Sequence, residues 1–134
     1  MHAHEIATLI QARGTRALHE ALDELPATAL IELLGEPWHQ LHEVIAQELG
    51  VIADPRASEA LLRLALTPPA YLTGWGVAAQ CQRKCAYALA QLGTEASRHA
   101  LQVLVQSADL GLQAFGEEGL AHWALGSVRN PEKL

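Results

Sequence analysis

Two stretches of this chain place small or apolar residues at i, i+3, i+4 and i+7: Cys85, Ala88, Leu89 and Leu92, and, 36 positions on, Ala121, Ala124, Leu125 and Val128. That spacing lines one side of an α-helix and makes no coherent face on a strand, so each stretch is expected to be a helix buried along one stripe. A second pair of segments repeats at an offset of 40, with Ala60, Leu61 and Leu64 matched by Ala100, Leu101 and Leu104. The offsets differ by four, so the first helix pair should carry about four extra residues between its helices, within 67–76, which reads TPPAYLTGWG.

The rest of the chain reads as helix too. Hydrophobic residues make up 50% of the sequence but aromatics only 4%. Ala and Leu, both strong helix formers, supply most of the remainder. Apolar spacing and breakers predict helices at 3–13, 15–25, 27–34, 37–49, 55–66, 77–92, 95–107 and 111–128. Gly14, Gly35, Gly50, Gly93 and Gly126 follow helical runs where a left-handed cap is useful. Asp54-Pro55 and Glu36-Pro37 look like helix starts, and Thr94 can cap the run that begins at Glu95. At 134 residues this is expected to be one all-α domain.

The run Arg83-Lys84-Cys85-Ala86-Tyr87-Ala88-Leu89-Ala90-Gln91-Leu92-Gly93 resembles the second helix of a HEAT repeat. Arg83, Ala86, Ala88, Leu89, Leu92 and Gly93 fit that pattern, and Cys85 stands in for a small residue. The next repeat departs from it, with Gly119 at the Arg position and His122 at a small one. The resemblance covers 54–128 and implies a short α-solenoid of seven or eight helices in stacked antiparallel pairs, preceded by acidic divergent helices over 1–50 and followed by a tail at 129–134. Such solenoids commonly grip proteins on a concave surface lined by the second helices.

Net charge is −6, and the whole excess lies in residues 1–50, where eight acids face Arg13 and Arg16. Beyond residue 50 there are seven charges of each sign. An acidic surface repels phosphate backbones, which argues against nucleic acid and suits a basic protein partner, with Glu32, Glu36 and Glu43 as the candidate acidic patch. No window approaches about 18 consecutive apolar residues, and the opening MHAHEIATLIQARG lacks a cationic start and apolar stretch, so a cytoplasmic chain with no membrane contact is expected.

Gln80, Lys84, Tyr87 and Gln91 share one outward face of the helix at 77–92, with Arg83 beside them. Under the offset of 36, Tyr87 corresponds to Trp123, giving two outward aromatics next to cations, a composition typical of interfaces. Trp123 could equally seal the solenoid end, or pair with a second copy as a weak homodimer. Tyr71 and Trp75, in the long connection, either cover adjacent helix ends or project toward a partner.

Metal and catalytic readings are weaker. His39 and His42, with Glu43 beside them, and His2-x-His4-Glu5 do not match His-Glu-x-x-His, and the first pair reads as sitting on a solvated helix face. Cys81 and Cys85 fall on the apolar stripe and read as buried free thiols. No metal, cofactor or catalytic residue is assigned. A non-catalytic protein-binding module is therefore expected, whether a bacterial immunity or antitoxin protein occluding a basic toxin or an adaptor holding a peptide or helix of a larger complex. A HEAT-like DNA glycosylase, with Glu117 or Asp109 near Trp123, is the third reading.

Overall fold

The computed structural model describes residues 2–129, with burial and side-chain contacts through Ala124. Among the described residues it is all-helical: α1 (Ala3–Arg13), α2 (Thr15–Ala21), α3 (Ala27–Leu34), α4 (His42–Ile52), α5 (Ser58–Leu66), α6 (Ala70–Gly74), α7 (Ala78–Leu92), α8 (Glu95–Val105) and α9 (Leu110–Arg129). Short 3-10 turns follow α2 at Leu22–Glu24 and precede α5 at Pro55–Ala57. The tail beyond Arg129 lies outside the described residues. None of the described helices is long and apolar enough to cross a membrane.

Helix α7 sits at the centre, packed against α4, α5, α8 and α9, while α1 and α3 pack together at the N-terminal end. The buried residues of α7 are mostly small: Cys81, Cys85, Ala86, Ala88 and Ala90, with Leu89 and Leu92. Small side chains let neighbouring axes approach closely. At Gly50 of α4, the space a Cβ would need is taken by the Gln91 carboxamide and by Ala88 of α7. Gly50 is thus an interior packing residue of α4 rather than its cap, and the left-handed turn falls instead on Ala53, at φ 58°. Gly35 has ordinary helical geometry, and Gly126 lies within α9, whereas Gly14 and Gly93 do have positive φ.

Two expected starts form as anticipated. The Asp54 carboxylate accepts the Arg56 N–H at 2.9 Å, and Thr94 forms a reciprocal capping box with Ser97. The start at Glu36-Pro37 does not: α4 begins only at His42.

The buried face of α9 differs from the expected one. Ala121 and Ala124 are exposed, and the residues that turn inward are Leu112, Gly116, Gly119 and Trp123. These match the inward residues Cys81, Cys85, Ala88 and Leu92 of α7 at an offset of 31, not 36. The offset of 40 between α5 and α8 holds, with Leu61 and Leu64 buried like Leu101 and Leu104. The insertion in the first pair is therefore about nine residues, and it contains α6. The expected face failed because it counted Ala as core and Gly as neutral. Gly116 and Gly119 in fact lie against α8 and α7, where a Cβ would come within 2.8 Å of the Val105 nitrogen and 2.5 Å of Leu101 Cδ2 respectively.

Gly116→Ala should therefore destabilise the protein by about 1–3 kcal/mol through overpacking, despite the roughly 1 kcal/mol Ala contributes to helix propensity. Ala121→Leu, on the exposed face, should stay within about 0.5 kcal/mol of the parent in urea denaturation. The reverse ranking would restore the offset of 36.

Candidate functional site

Two imidazoles, His39 from the chain between α3 and α4 and His42 at the start of α4, pack against the C-terminal end of α3. His39 and His42 are 0% and 2% exposed and stack at 4.1 Å between ring centroids, which corrects the expectation of a solvated pair. His39 Nδ1 accepts the Leu41 N–H at 3.0 Å, so its Nε2–H donates to the Leu33 carbonyl at 2.6 Å. His42 Nε2–H donates to the Glu36 carbonyl at 2.8 Å, leaving Nδ1 to accept the Tyr71 hydroxyl at 2.9 Å. Both rings are neutral in this network, and His39 adds a second donor to the Leu33 carbonyl, which already accepts the Glu36 N–H at 3.1 Å. A helix starting at Pro37 would pull these rings away from those carbonyls.

The imidazoles form the middle of a run of five rings. Trp38 meets His39 edge-on at 5.1 Å, Tyr71 of α6 lies 5.6 Å from His42, and Trp75 stands edge-on to Tyr71 at 5.4 Å. Tyr71 thus folds back onto the helix ends, while Trp75 is 63% exposed. Trp38 has a buried indole N–H without a hydrogen-bond partner. Sequence reading passed over Trp38; the clustering of Trp38, His39 and His42 just after Pro37 was the available signal.

Beside this run opens a groove of about 590 Å³ between α3, the Gly35–Pro37 turn, α5 and the start of α6. Its apolar surface comes from Ile31, Leu34, Ala60 and Leu64, with His42 at its inner end. Glu32 and Glu36 both line it, whereas Glu43 is drawn to the other side of α4, 3.5 Å from Lys84. Glu32 lies 3.1 Å from His4 Nδ1, and Arg63 on the opposite wall is tied to Glu59 at 2.6 Å.

The outward face expected on α7 is largely engaged within the molecule. Arg83 pairs with Glu118 at 3.0 Å and lies 5.4 Å over the Tyr87 ring, and the Tyr87 hydroxyl donates to the same carboxylate. The Tyr87 hydroxyl first, and the Arg83 guanidinium second, hold the Glu118 carboxyl below its usual range. Lys84 donates to Gln47 at 2.7 Å, Gln91 lies against Gly50, and Gln80 is exposed. Trp123 does not join this face. It is 8% exposed, donates its indole N–H to the Thr94 carbonyl at 3.2 Å and lies under Arg98, because the offset of 31 rotates it inward. It leaves no projecting indole for a second copy to grip. Of the two acids in the glycosylase reading, Asp109 accepts the Gly111 and Leu112 N–H groups at the start of α9, and Glu117 is exposed. Cys81 and Cys85 are buried free thiols, as expected.

No protein-family model matches the chain, and neither a curated protein nor a solved structure matches it.

Burial, and next the neighbouring His39, lower the His42 pKa from 6.5 to about 4, and burial lowers that of His39 as well. Because the folded values lie below the unfolded one, the unfolded chain binds more protons in between. Stability should be complete above pH 6.5 and fall as pH drops toward about 4. In an NMR titration of the ring Cε1 protons, His42 should show no protonation step between pH 8 and 5; a normal step near 6.5 would contradict the neutral network. Tyr71→Phe leaves His42 Nδ1 buried without its donor and should cost about 1–3 kcal/mol at neutral pH.

Proposed function

We propose that the chain is a non-catalytic protein-binding module of HEAT-like type that holds a basic partner protein against its acidic N-terminal half. The observation that carries this reading is the groove between α3 and α5, with an apolar surface and the Glu32 and Glu36 carboxylates along one wall. Apolar area supplies affinity there, and the carboxylates supply orientation and a faster encounter with a cationic surface. Support for the HEAT-like part comes from the two successive helix pairs, α5 with α7 and α8 with α9, whose inward residues repeat.

Two forms of the reading share this site. The acidity favours an immunity or antitoxin protein of a bacterium that occludes a basic toxin, and the apolar lining of the groove favours an adaptor holding one segment of a larger complex. Either would act in a reducing compartment such as the cytoplasm, where the free thiols of Cys81 and Cys85 persist.

The test is a photo-crosslinking residue at Thr28 or Thr67, both at the groove, in the full chain in its native cell. Crosslinks to a basic protein should form and should drop about tenfold with Glu32→Lys/Glu36→Lys, equivalent to about 1.4 kcal/mol. Crosslinking indifferent to that reversal would remove the electrostatic part of the proposal.

A further inference from the structure

Taking the binding-module reading as its basis, we infer that the occupant of the α3/α5 groove is an amphipathic α-helix of the partner, with Lys or Arg beside its apolar stripe. Charge complementarity supplies the first argument. Glu32 and Glu36 line the groove, and Arg63, the guanidinium of its lining, is already bound to Glu59 outside it, while Glu32 also meets His4. The uncompensated charge is therefore negative and lies on the α3 side. The C-terminal end of α3 adds partial negative charge to that wall.

The second argument concerns the backbone. The groove walls are mostly helix, whose peptide groups bond internally, and no strand lines them, so they present no strand edge to an extended peptide. In the turn beyond α3, the Glu36 carbonyl, which could have served, is taken by His42. An extended segment buried here would leave its own N–H and C=O groups unpaired, each at a cost of about 1–3 kcal/mol. A helix satisfies its own backbone and presents only side chains, with an apolar stripe for Ile31, Leu34, Ala60 and Leu64 and cations for Glu32 and Glu36.

The test uses the full chain and three labelled synthetic peptides about 14 residues long, roughly four helical turns. One carries a Leu stripe flanked by Lys, the second replaces Lys with Glu, and the third is the Lys peptide broken by a central Pro. Fluorescence anisotropy should show binding of the Lys peptide, weakened at least about tenfold by the Glu exchange, by the Pro and by Glu32→Lys/Glu36→Lys. Thr67→Tyr, a bulky change at an exposed position of the groove, should weaken it as well while circular dichroism stays unchanged.

Equal binding of the Pro-broken peptide would overturn the helical occupant while leaving the groove reading in place. Binding that ignores both groove variants would overturn the groove itself. Self-association of the chain that Thr67→Tyr abolishes, with no peptide binding, would assign the groove to a second copy and overturn the inference.

Discussion

Helix α7 touches α4, α5, α8 and α9, and it can do so only because most of what it buries is no larger than Cys or Ala. Two of these neighbours answer with a glycine at the close approach, Gly50 from α4 and Gly119 from α9. Close approach of this kind brings many atoms into contact with little side-chain entropy to lose, which suits a core with few aromatics. The constraint also reaches the surface. With α4 and α9 held close on either side, Lys84 and Arg83 bridge to Glu43 and Glu118, and the cations of α7 become ties between helices.

The N-terminal half solves a different problem. At the end of helix α3 two neutral imidazoles donate to carbonyls, His39 to Leu33 within the helix and His42 to Glu36 just beyond it. The choice makes this end of the molecule sensitive to acid, and it joins the α3 terminus to α6 through the Tyr71 hydroxyl. The groove opens beside this network. At its inner end stands the His42 ring, with both nitrogens engaged by Tyr71 and the Glu36 carbonyl.

Much of the fold was legible. The bounds of α1 and α3, the start of α8, the caps at Asp54 and Thr94, and an insertion between the first helix pair all follow from local periodicity and cap chemistry, which depend on residues a few positions apart. Of the groove, only the acids at Glu32 and Glu36 could be named in advance, because charge is visible in a sequence and concavity is not. The face expected on α7 was correctly placed outward for Gln80, but the partners of Arg83, Lys84 and Tyr87 lie 31 to 41 residues away in the chain.

Helicity and the uneven charge were thus determined by the sequence alone, since each is a property of short windows or of composition. Which side of α9 turns inward, and whether His39 and His42 meet water or carbonyls, only the tertiary structure decided. A 3.6-residue period admits several stripes when Ala and Gly are frequent, and the neighbour's distance selects among them. On α9, α7 and α8 stand so close that Gly116 and Gly119 must face inward, which carries Trp123 in with them and leaves Ala121 and Ala124 to solvent.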